Sequence, residues 1–170
     1  MSEDIEKRQI LVLVMSALMT AVVLATTLFT KIDLAIGYIN LGDFVIMMIT
    51  CLVPFKIALV AAGLGAALAD VLAGYPLYFF FTLFIKMGEV VIIHFIMKKK
   101  PFDKYVVVPF VAAGVFMAAM YGLANIMIYG DAKVFMGSIL SDLPQGLVSA
   151  ALATVLYPQY KRMSKYLRGS

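Results

Sequence analysis

The stretch LYFFFTLFIKMGEVVIIHFIM, Leu77 to Met97, is an almost unbroken apolar run that carries Lys86 and Glu89 inside it. A helix needs about 20 apolar residues to cross a bilayer, so this run reads as a membrane span. A charge near the bilayer centre costs several kcal/mol even on lenient scales, so each of the two needs a reason. They lie three residues apart and therefore share a helix face. The rest of the chain has the same character. The whole chain is 64% hydrophobic and 14% charged, against about 45–50% and about 25% in soluble domains. Mean hydropathy is +0.99.

Five more spans follow by the same reading: Gln9–Thr30, Leu41–Pro54, Lys56–Ala73, Tyr105–Tyr129 and Val134–Pro158. The expected fold is an all-α membrane protein of six transmembrane helices, one domain over residues 1–170. Leu41–Pro54 is short, and needs local thinning, tilted neighbours or extension through Tyr38 and Ile39. Gly and Pro punctuate the breaks, as in Ile36-Gly37, Val53-Pro54, Gly74-Tyr75-Pro76, Lys100-Pro101 and Gly130. The first run is too long for a typical signal peptide core. Basic residues set the orientation. With the N-terminus inside, eleven fall on inner segments, from Lys7 and Arg8 to Arg168, and only Lys31 and Lys133 on outer ones. Both termini are therefore expected in the cytoplasm.

Several chemistries are excluded. One cysteine rules out internal disulfides and multi-cysteine metal centres, and one histidine rules out His-rich metal sites. The acidic residues lack metal-site spacing, so no metal or cofactor is expected. There is no phosphate-binding Gly-rich loop, so the chain is not expected to hydrolyse ATP. His94 lies across the midplane from the polar residues, which leaves no nucleophile–base pair and no enzyme. The basic residues flank apolar spans and form no face for nucleic acid.

Polar residues within the spans gather on one side. Asp43, Asp70, Lys86, Glu89, Asn125, Asp142 and Gln145 all fall in the outer half. Lys86 lies roughly 10–14 Å below the outer end of its helix. Channels and proton relays string polar groups across the full depth. A pocket open outward and closed below places them in one half. Aromatics including Tyr38, Tyr75, Tyr78, Tyr121 and Tyr129 lie at the same level, which suits a small organic ligand. Tyrosines there also fit an interfacial belt. Lys86 and Glu89 fit either a self-contained ion pair or a pair that also holds ligand. Asp43 and Asp70 are expected to cap helices or pair with loop groups. Asn125, Asp142 and Gln145 also fit interhelical hydrogen bonding. His94 reads as an interfacial residue near the inner end of its span.

Ala17, Ala21 and Ala25 recur every fourth residue on the first span. Such a stripe lets another helix approach closely, either within this bundle or from a partner. The third span is denser in small residues, from Ala58 to Ala69, and is expected to pack internally.

These residues resemble a family. Gly37-Tyr38-Ile39-Asn40-Leu41-Gly42-Asp43 is similar to the loop and helix start of S components of energy-coupling factor (ECF) transporters. So is Gly65-Ala66-Ala67-Leu68-Ala69-Asp70-Val71-Leu72-Ala73-Gly74-Tyr75-Pro76. Thr82, Lys86 and Glu89 resemble the family's Thr-x-x-x-Lys-Gly-x-Glu-Gly segment, with Met87 and Val90 in place of its glycines. The resemblance is strongest to the riboflavin-type branch, which includes pyridoxine and hydroxymethylpyrimidine carriers. It implies a substrate-binding subunit of an ATP-driven importer in a bacterial plasma membrane. Its partners would be a transmembrane coupling subunit and two cytoplasmic ATPase subunits, with the Ala17/Ala21/Ala25 stripe as docking motif. The subunit would capture a vitamin outside and topple in the lipid to release it. The pocket the family implies is Tyr38, Asn40, Lys86, Glu89, Tyr121, Asn125, Asp142 and Gln145. Met87 and Val90 imply a narrower pocket than a flavin carrier's, and no Trp is present to stack on a tricyclic ring. Both favour a single-ring vitamin. The alternative is a stand-alone secondary transporter or channel with Lys86 and Glu89 as a proton or ion site, against which the dry inner half argues.

Overall fold

A computed structural model describes residues 2–34, 38–99 and 105–168. Of the expected breaks, Ile36, Gly37 and Lys100–Lys104 lie outside the described residues. Six α-helices make up almost all of the remainder: α1 (Ser2–Phe29), α2 (Gly42–Leu52), α3 (Phe55–Leu72), α4 (Phe79–Lys99), α5 (Val107–Tyr129) and α6 (Lys133–Arg168). Five are long and apolar enough to cross a membrane. The exception is α2, whose 11 residues rise only about 17 Å. It does not gain length through Tyr38 and Ile39. Those two residues form a strand, β2, antiparallel to β1 (Ile32–Asp33). The Asn40 side-chain oxygen then accepts from the Gly42 backbone N–H at 2.7 Å and turns the chain into α2. The shortness is tolerable because α2 is enclosed, with seven of its residues buried, and packs on α1, α3, α4 and α6.

Two further boundaries differ from expectation. The last helix does not stop at Pro158 but runs through both Pro144 and Pro158. Membrane helices tolerate proline where neighbours re-satisfy the freed backbone groups. The first helix begins before Gln9, carrying its charged start as one continuous rod. A short 3-10 turn, Pro76–Tyr78, leads into α4.

Small residues set the closest approaches. A methyl on Gly114 would lie 3.0 Å from the Gly146 backbone, so α5 and α6 cross backbone to backbone there. The small face of α3 packs internally as expected, with Ala58, Ala61, Ala62, Ala66, Ala67 and Ala69 buried. Two apolar clusters fill the bundle away from the hairpin. One joins Val23, Ile46, Ala62 and Val90. The other joins Met47, Ile93, Phe110 and Ala150.

Gly65 marks the seam between α1 and α3, where a methyl would meet the Thr20 carbonyl and the Val23 Cβ, each at 2.8 Å. Gly65→Ala should therefore destabilise the protein by about 1–3 kcal/mol through overpacking. Gly137→Ala in α6 meets nothing within 4 Å and should be neutral or slightly stabilising. Thermal unfolding of both variants in detergent checks the contrast.

Candidate ligand-binding site

One cavity opens at the hairpin end of the bundle. Seven of the eight expected pocket residues line it: Tyr38, Asn40, Lys86, Tyr121, Asn125, Asp142 and Gln145. Glu89 does not. It lies behind Lys86, fully buried.

Lys86 organises the site. Its ammonium donates to Glu89 Oε1 at 2.8 Å and to Asp43 Oδ1. The expected two-residue pair is thus a triad across α2 and α4. Asp43 is 1% exposed and Lys86 5%, so neither charge is neutralised by bulk water. Asp43 caps no helix by side-chain hydrogen bond. Its second oxygen instead accepts from Gln145 Nε2 of α6. Gln145 Oε1 in turn accepts from the Asn40 backbone N–H at 2.7 Å. The Lys86 ammonium also lies 5.3 Å from the Tyr121 ring centroid, a cation–π contact from α5.

A second network converges on Asp70, near the end of α3. It accepts from Tyr38 Oη at 2.5 Å and from Thr82 Oγ1. Pairing with the hairpin matches one of the two roles expected for Asp70; helix capping is not seen. Thr82 has one hydroxyl proton and gives it to Asp70, so Tyr121, 2.9 Å away, is the donor between those two. Burial, and after it the adjacent Asp70 carboxylate, raise the Tyr38 hydroxyl above its ordinary titration range and keep it a donor. Tyr38 stacks at a tilt on Tyr75, centroids 5.4 Å apart. Asn125 accepts from Tyr78 and donates to Ser138, tying the turn, α5 and α6 together. It is thus both interhelical tie and cavity wall.

Sequence reasoning undervalued Asp43, Asp70 and Thr82, all of which line the cavity. Thr82, Lys86 and Glu89 recur at four and three residues, one helix face, so Thr82 was detectable. The expectation about Met87 and Val90 is corrected. Met87 packs against Gly63 of α3 and Val90 is in the apolar core, so neither narrows the cavity.

Away from the cavity the described interior is mostly apolar. The Thr50 and Thr154 hydroxyls turn back onto carbonyls of their own helices, Ile46 and Ala150. His94 packs against Phe55, centroids 4.5 Å apart. No chain of polar contacts continues beyond Glu89 among the described residues. On α1, the inward face carries Val23 and Thr27. Ala17 and Ala21 are exposed and Ala25 is half-buried.

An apolar helical bundle with one aromatic and charged cavity at one end has the form of a membrane ligand-binding protein. Over residues 7–162 the chain matches the family described as ECF-type riboflavin transporter, S component, and it belongs to that family. It is therefore a membrane protein, the substrate-binding subunit of a vitamin transporter, and not an enzyme. It is also 34% identical over 136 residues to an uncharacterized protein in the gap 3' region of Pyrococcus woesei, across 79% of this chain and 88% of that one.

Replacing Lys86 with Met strands two buried carboxylates and should cost about 3–5 kcal/mol of stability. The triple neutral variant Asp43→Asn, Lys86→Met, Glu89→Gln should recover most of that loss. Denaturant unfolding in detergent measures both.

Proposed function

We propose that this chain captures a small heterocyclic vitamin or precursor outside the cell, of the pyridoxine, hydroxymethylpyrimidine or riboflavin class. A transmembrane coupling subunit and two cytoplasmic ATPase subunits then drive its release inside. The observation that carries this reading is the one-ended cavity. Seven residues named from the resemblance meet there, above an apolar interior that closes the opposite side. In the bilayer the cavity faces outward and both termini face the cytoplasm, as the basic-residue bias favours. The eight pocket residues divide by role. Tyr38, Asn40, Tyr121, Asn125, Asp142 and Gln145 face the ligand together with Lys86, and Glu89 supports Lys86 from behind. The absence of Trp favours a single ring over a tricyclic one.

Energy comes from the partners, since no nucleotide-binding loop is present. The exposed Ala17 and Ala21 with Ala25 supply the docking face, where small side chains admit a partner helix.

Two experiments test the reading. Mass spectrometry of the protein purified in mild detergent should find a vitamin-class molecule at near one-to-one stoichiometry. Its absence, together with no binding across a vitamin panel, contradicts the proposal. Ala17→Leu and Ala21→Leu should leave ligand affinity unchanged and abolish uptake in cells that carry the coupling module. Equal loss of binding and uptake would make the stripe internal packing instead.

A further inference from the structure

The cavity holds an imbalance of charge. Three carboxylates line it, Asp43, Asp70 and Asp142, against one cation, Lys86. That cation is already engaged by Asp43 and by Glu89 behind it. Asp70 is held only by the neutral hydroxyls of Tyr38 and Thr82. Asp142, half-buried at the cavity wall, accepts from its neighbour Ser141 at 3.3 Å and makes no ion pair among the described residues. Lys31, beside the Tyr38 ring, is paired with Asp33 at 2.9 Å.

A carboxylate buried, as Asp70 is, or half-buried, as Asp142 is, and lacking a direct countercharge either takes up a proton or gains by meeting a cation. The tyrosine rings in the wall favour the same sign, because their faces are negative. A second observation points to a missing partner. Thr27 is 3% exposed and lies on the cavity wall, yet its hydroxyl has no hydrogen-bond partner among the described residues. A buried hydroxyl left unpaired costs free energy that a bound polar group would recover.

We infer that the cargo is a flat nitrogen heterocycle bearing a positive charge, with its cationic group drawn to Asp142. This rests on the carrier reading above and adds the charge of the molecule carried. With a neutral ring of the same size, Asp70 and Asp142 would have to be neutralised by protons instead of by the ligand. An anionic one, such as a phosphorylated vitamin, is repelled.

The test is calorimetric titration of the full chain in detergent with four probes. Thiamin and pyridoxamine carry a positive charge near neutral pH, whereas riboflavin and pyridoxine carry no net charge. A cationic probe should bind tightest. Asp142→Asn should weaken that probe by about tenfold or more, the loss of one charge-assisted hydrogen bond, and weaken the neutral probes by a clearly smaller factor. Asp70→Asn should act in the same direction. An unchanged melting temperature of the Asp142→Asn protein separates a binding effect from a folding one. If riboflavin or pyridoxine binds tightest and Asp142→Asn leaves that binding intact, the charge assignment is overturned and the carrier reading stands. If none of the four binds and nothing co-purifies, the carrier reading falls and takes the charge assignment with it.

Discussion

The ammonium of Lys86, held between two buried carboxylates, is the constraint on which the rest of the site depends. A charge at that depth is tolerable only when its partners are fixed beside it. Asp43 brings the start of α2 to it, and Glu89 supports it from the next turn of α4. The other contacts extend outward from this centre. Gln145 reaches Asp43 from α6 and holds the Asn40 backbone. Tyr121 places its ring near the ammonium and its hydroxyl on Thr82. One buried cation thereby sets the relative positions of α2, α4, α5 and α6 and of the chain leaving the hairpin.

Around this centre, polarity and packing divide the molecule. The hairpin end is hydrogen-bonded and aromatic. The remainder is alkyl side chains and small residues at close crossings such as Gly114 on Gly146. In lipid there is little hydrophobic force between helices, so close packing and internal hydrogen bonds hold the bundle. The protein uses each of these in a different half.

Much of this was legible in the sequence. Long apolar runs announce membrane helices because every backbone group in lipid must be satisfied within its own helix. Span by span, polar residues on one side announced a one-ended site, since depth follows from helix rise. What stayed hidden depends on the third dimension. Asp43 and Lys86 are far apart in the chain, and spacing cannot pair them. The strands of the hairpin have two residues each, too few for any alternation to register. Met87 and Val90 occupy family glycine positions, but only the helix rotation reveals that they face α3 and the core. Spacing also could not say which face of α1 turns inward; the burial of Val23 and Thr27 shows it.

That rotation of α1 gives its two sides different surroundings. One side rests on α3 at the Gly65 seam, with no slack for a methyl group. The other side carries Ala17 and Ala21 in the open. Further along the inward side, Thr27 forms part of the cavity wall, and a methyl on Gly42 would collide with its hydroxyl. One helix thus carries both the closest seam with α3 and a part of the cavity wall, so the fit of α1 against its neighbours and the shape of the cavity are not independent.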